Sequence, residues 1–149
     1  MNKYPAVEDG RMILINKELH WTSFDVVKKI RNLVRIKKVG HAGTLDPLAT
    51  GLLIVCTGRM TKQINQFMNL EKEYTGTMVL GKTTPSVDLE TEIDKETSIE
   101  HITEEDVINT AEKFTGNLMQ TPPIYSALKK DGEPLYKKAR KGENVKIEP

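Results

Sequence analysis

Hydrophobic and polar positions change period several times along the chain, and each change predicts a new element. Residues 11–15 form a short apolar run that reads as a strand. From residue 22 the spacing turns helical. Val26, Val27, Ile30, Leu33 and Val34 recur at three- and four-residue intervals, Thr22 or Ser23 stands where a cap belongs, and Asp25 lies near the positive end. Lys28, Lys29, Arg31 and Arg35 fall mainly on the polar side of that helix. Gly40, Gly43, Pro47 and Gly51 then punctuate the chain too densely for helix or strand, which predicts a loop. Residues 52–56 follow as a buried strand. Residues 61–69 suit a short helix burying Ile64, Phe67 and Met68, and residues 72–80, rich in β-branched and aromatic side chains, read as another strand.

Thr84 and Pro85 end that pattern and open an acidic stretch with the character of an exposed connection. Thr103 and Asp106 have the spacing of a capping box, Val107, Ala111 and Phe114 share one face, and Gly116 supplies a stop. Pro122 and Pro123 interrupt regular structure. Residues 124–128 are then expected to be extended and residues 133–141 to form a short basic helix ended by Gly142. Strands and helices alternate too irregularly for repeated βαβ units. The fold class predicted is α+β, a mixed and mainly antiparallel sheet flanked by helices. At 149 residues the chain suits one ordinary core, burying roughly 68 to 70% of the surface an unfolded chain exposes.

Composition narrows the function classes. Hydrophobic residues at 38% and charged residues at 29% exclude a wholly disordered chain, and no apolar run approaches the ~20 residues of a membrane-spanning helix. The single cysteine, Cys56, has no internal disulfide partner and forms no cysteine-based zinc site; in its apolar strand it reads as inert packing. The N-terminus lacks a charged-then-apolar leader pattern, so a reducing cytoplasm is the expected setting. The net charge of +1 hides strong segregation. Residues 28–62 hold eight cations against Asp46 alone, residues 88–106 hold nine carboxylates against Lys95, and residues 129–146 hold seven cations against three carboxylates. Two basic segments flanking an acidic one fit either a polyanion partner or solvated helix faces.

Gly76, Gly81, Lys82 and Thr83 satisfy the letters of a phosphate-binding loop. The context does not: the residues between the glycines are strand-like, and Pro85 after Thr84 bars a helix from starting where the phosphate would sit. Nucleotide binding is therefore rejected. The informative segment is GHAGTLDPLATG at 40–51, which frames one carboxylate, Asp46, with glycine and proline. A lone carboxylate in such a loop is a nucleophile, a metal ligand or a turn residue holding backbone amides. His41 has the alternative of an ordinary hydrogen-bonding loop residue, Tyr74 of half-buried strand packing, Lys17 of a surface lysine, and Trp21 of a core residue.

The 40–51 loop resembles the catalytic motif of the TruB family of tRNA pseudouridine synthases. KELHWTSFDVV from residue 17 resembles the family's first motif, and YTGTMVLGKTTPSVD from residue 74 the strand that bears its active-site tyrosine. TPPIYSALKKDGEPLYKKARKG at 121–142 resembles its RNA-gripping thumb insertion. The resemblance implies a pseudouridine synthase-like fold acting on the uridine at position 55 of the tRNA T loop. Asp46 would attack the ribose C1′ or the uracil C6, and the base would detach, rotate and rejoin through carbon. His41 would help hold the target nucleotide out of the stack, Tyr74 would stack on the uracil, and Lys17 would take a structural or phosphate-contacting role. Lys129, Lys130 and Arg140 would contact RNA from the thumb. An isomerisation calls for neither metal nor redox cofactor. The T-arm of tRNA is the partner expected, with no membrane and no obligatory protein partner, for a monomer.

Glu18 stands where the family's first motif has proline. The family also pairs its aspartate with an arginine from a strand that would lie beyond residue 149. The chain is accordingly expected to be the N-terminal part of a catalytic domain, incomplete at its C-terminus and weak or inactive by itself. The alternative from another class is a non-catalytic tRNA-binding module or folding helper.

Overall fold

The computed structural model describes residues 9–126, 128–143, 145 and 147, without the side chains of Lys129 and Arg140. Contacts gather the chain into two compact units, Met1–Thr75 and Gly76–Pro149. The fold class is the α+β arrangement the pattern predicts, and every strand pairing among the described residues is antiparallel.

In the first unit β1 (Met12–Lys17), α1 (Ser23–Val34), β2 (Val39–Ala42) and β3 (Gly51–Thr57) build a three-stranded sheet of order β1-β3-β2 with one helix packed on it. Alternation sorts the faces. Ile13, Ile15 and Lys17 of β1 turn inward with Leu53 and Val55 of β3, while Met12, Leu14 and Leu52 face outward and are exposed. Helix α1 closes the inner face with Val26 and Val27, and Ile36 and Val39 complete the buried cluster. Burying such side chains stabilises by about 1.5–3 kcal/mol each. Thr22 caps α1 through a full capping box: its hydroxyl accepts from the Asp25 amide, and the Asp25 carboxylate accepts from the Thr22 amide.

Two expectations need correcting in this unit. Residues 39–42 form strand β2 rather than part of a loop, because the ladder to β3 supplies what the local sequence withholds. Gly40 pairs with Cys56, and its missing side chain admits Ile64, whose Cδ1 would lie 2.8 Å from a Cβ there. The helix expected at 61–69 is divided into a 3₁₀ turn, Gly58–Gln63, and a short α2, Ile64–Met68.

The second unit holds two small hairpins and two helices: β4 (Lys82–Thr83) with β5 (Lys95–Glu96), α3 (Glu104–Lys113), β6 (Lys129–Lys130) with β7 (Glu133–Pro134), and α4 (Leu135–Arg140). Thr103 and Asp106 form the expected capping box at α3. Asp131 and Gly132 both take positive φ, 56° and 82°, as a two-residue hairpin turn requires. The strand expected at 72–80 does not form, since no ladder partner exists for it among the described residues and Tyr74, Met78 and Val79 are exposed. After Gly81 the chain enters β4 and no helix follows, in keeping with the rejected phosphate loop. No helix is long and apolar enough to cross a membrane among the described residues.

Candidate active site

The loop carrying Asp46 leaves β2 at Ala42 and re-enters the sheet at Gly51, the first residue of β3. Antiparallel register sets Lys17, the last residue of β1, opposite Gly51, so loop and lysine share one end of the sheet. Leu45 packs against the buried cluster and anchors the loop. The buried Ser23 hydroxyl accepts from the Leu45 amide at 2.9 Å and donates to the Leu45 carbonyl at 3.2 Å. On the other side of Asp46, the His20 amide donates to the Pro47 carbonyl at 2.7 Å, and the Ala49 amide closes a turn onto the Asp46 carbonyl at 3.0 Å. Both neighbours of Asp46 are thus held by residues 20–23, and the aspartate itself is exposed. Among the described residues its carboxylate accepts no hydrogen bond.

Lys17 departs from the surface position a lysine ordinarily takes. It is 1% exposed, because the alternation that buries Ile13 and Ile15 continues to it. Its ammonium donates to the Glu18 carbonyl at 3.1 Å and to the Trp21 carbonyl at 2.7 Å. Burial pushes its pKa below 10.5, and the Asp46 charge pulls it part of the way back. Lys17 and Asp46 are therefore coupled electrostatically, although no direct ion pair joins them among the described residues.

His41 lies in β2 opposite Val55, its Nδ1 hydrogen-bonded to the Gly43 carbonyl, which fixes the ring at the start of the loop. Tyr74, 71% exposed, lies outside any strand, and no hydrogen bond ties it to the loop among the described residues. The register thus puts Lys17 and the return of the Asp46 loop at the Gly51 end of β3, while His41, opposite Val55, lies four residues further along that strand and Tyr74 lies outside any strand. Trp21 is a correction: it is 38% exposed rather than core, because residues 18–21 turn outside α1 and only the Trp21 backbone is drawn inward by Lys17. Ser23 and His20, the two loop clamps, escaped the sequence reading because their partners lie over twenty residues away. Cys56 is buried as expected, and burial pushes its thiol upward.

Of the three thumb cations, Lys130 is exposed at the hairpin turn, while the Lys129 and Arg140 side chains lie outside the described residues. Lys138 and Lys141 of the α4 region pair with Asp131 and Glu133 at 3.3 and 2.8 Å, joining helix to hairpin. No group of three or more His, Cys, Asp or Glu residues with metal-binding geometry occurs among the described residues.

Residues 31–149 match the family model described as TruB family pseudouridylate synthase, N-terminal domain. The protein named tRNA pseudouridine synthase B in Flavobacterium johnsoniae is 52% identical over 147 residues, covering 94% of this chain and 64% of the relative. Its namesakes in Parabacteroides distasonis and Bacteroides fragilis are 52% and 51% identical, covering 93% and 95% of this chain. The chain spans about three-fifths of the length of these relatives. A solved Cbf5-Nop10-Gar1 complex contains a chain similar in fold, with a TM-score of 0.54 at 24% identity over 83% of this chain and 32% of that one. By family match and by extended identity alike, the chain belongs to the TruB family of pseudouridylate synthases, in its N-terminal domain.

Proposed function

We propose that the chain isomerises uridine to pseudouridine at position 55 in the T loop of tRNA, with Asp46 as the nucleophile. Relatives about 50% identical that are named tRNA pseudouridine synthase B support the reaction and the substrate class. The observation in this structure that carries the role of Asp46 is its exposed carboxylate on a loop clamped on both sides by residues 20–23. Holding a nucleophile in one place removes part of the entropic cost of attack.

In the reaction the carboxylate oxygen bonds to the ribose C1′ as the C1′–N1 bond breaks and uracil leaves with that electron pair. The freed base rotates, C5 bonds to C1′, and the carboxylate departs with its electrons. The C5 proton is then lost and N1 gains one, so atoms and electrons balance without a co-reactant. Attack at the uracil C6 is the variant route, with the same nucleophile. Tyr74 offers an aromatic face to the extruded base, and His41, anchored at the loop entrance, fills the space the base vacates. Together they offset the few kcal/mol that extrusion costs. Lys17 acts as a positioning residue: by gathering the carbonyls of residues 18 and 21 it shapes the turn from which His20 holds Pro47. Lys129, Lys130 and Arg140 contact backbone phosphates, the protein works as a cytoplasmic monomer, and the 149-residue chain turns over slowly.

The test is incubation of the chain with an unmodified tRNA T-arm hairpin, followed by digestion and nucleoside chromatography. Pseudouridine at the target position, absent when that uridine is replaced by cytidine, is the expected result. Tight, salt-sensitive binding with no pseudouridine after prolonged incubation at excess protein would instead establish the non-catalytic binding module.

A further inference from the structure

A groove of about 380 Å³ opens along α1 and the residues just before it, lined by His20, Trp21, Asp25, Lys28, Lys29 and Asn32. Helical spacing explains four of the set: residues 25, 28, 29 and 32 share one face of α1, away from the buried Val26 and Val27, and His20 and Trp21 join them from the segment before the Thr22 cap. The face combines three chemistries. Trp21, the only tryptophan, exposes part of an aromatic surface while Lys17 holds its backbone by the carbonyl. Lys28 and Lys29 are exposed and make no ion pair among the described residues, and Asn32 adds an amide donor and acceptor. Asp25 is the only carboxylate, and its oxygen is already engaged by the Thr22 amide and hydroxyl of the capping box. His20 forms another wall in a left-handed conformation, φ 66°, which an L residue adopts at some cost. In that conformation its amide reaches the Pro47 carbonyl beside Asp46.

We propose that this groove binds an unpaired RNA segment, with a base stacked on Trp21 and adjacent phosphates held by Lys28 and Lys29. Aromatic surface beside paired cations is how proteins grip unstacked nucleotides without reading their sequence. A backbone hydrogen bond from a groove wall to the Asp46 loop puts the bound strand next to the site where a nucleotide would be extruded. This inference rests on the RNA reading above and extends it to residues that reading leaves unused.

The lone tryptophan is its own reporter. The chain is titrated with a T-arm hairpin and, separately, with oligouridylate, following Trp21 emission and the anisotropy of labelled RNA. Quenching by either RNA is expected. The exposed pair Lys28→Gln and Lys29→Gln, checked for folding by circular dichroism, is expected to weaken oligouridylate roughly tenfold at low salt. It should also lower the slope of log affinity against log salt by about 1.4, at ~0.7 per single-strand phosphate contact. Removing the same charge in the second unit, with Lys95→Gln and Lys113→Gln, should change neither. Oligouridylate quenching without hairpin binding would contradict the T-loop reading and leave the groove standing. Emission unmoved by both RNAs, or equal losses in the groove and control pairs, would overturn the groove whether or not pseudouridine forms.

Discussion

A buried lysine with two carbonyl partners and a carboxylate nearby is the residue on which the candidate site turns. Replacing Lys17 with methionine keeps the length of the side chain and strands the Glu18 and Trp21 carbonyls, so a loss of about 1–3 kcal/mol is expected in urea unfolding at pH 7. Its pKa is held below 10.5, so the unfolded chain binds more protons in the alkaline window just under that value. Native stability therefore rises with pH across that window, and the methionine variant should lack the rise. Cys56 offers an independent check on the core. Buried in β3 with its thiol pushed above 9.0, it should react with iodoacetamide at pH 8 roughly a hundredfold or more slowly in the native chain than in urea; equal rates would show that the sheet is not closed. The burial of Lys17 was within reach of the sequence, since extending the alternation of Ile13 and Ile15 by one step puts residue 17 on the inner face. The strand read at 11–15 stopped short of it. The clamps from His20 and Ser23 were out of reach, because each bond joins residues far apart in the chain and has no local signature.

At the scale of elements, structure set by neighbours three or four residues apart was legible. The capping box of Thr103 with Asp106 formed where its spacing placed it, and of the two cap candidates at α1, Thr22 and Ser23, it is Thr22 that caps, with Asp25 completing a box. Thr22→Ala should cost about 1 kcal/mol in thermal or urea unfolding, with α1 the first amides to lose hydrogen-exchange protection. The Asp25 carboxyl is held below its ordinary 3.8 by the Thr22 hydrogen bonds. The stability it contributes is present above 3.8 and lost as pH falls through the lowered native value, so Asp25→Ala should flatten that part of the acid unfolding profile. Strands depend on partners, and there local reading failed in both directions. Glycine at position 40 disguised a strand that the β3 ladder enforces, while the β-branched run at 72–80 expressed a propensity that no described partner satisfies.

Over the whole molecule, the segregated charge has divided uses. In the second basic segment Lys138 and Lys141 are tied to Asp131 and Glu133, holding a hairpin to a helix, while on α1 Lys28 and Lys29 stay exposed along a groove. The net charge of +1 therefore says little about affinity for RNA; the slope of binding against salt is the quantity that reports it. Four motif resemblances in sequence pointed to the TruB family, and the family match and identities near 50% bear that out. They do so over about three-fifths of the length of the relatives, and activity is the property that must be measured on this chain itself. The most direct measurement is release of tritium from carbon 5 of uridine in a labelled tRNA T-arm, at excess protein, comparing the chain with its Asp46→Asn variant. A nucleophilic Asp46 predicts slow release from the chain and a rate lower by roughly a thousandfold or more in the variant. Equal release from the two would contradict it, and none from either would contradict the slow turnover proposed for the chain.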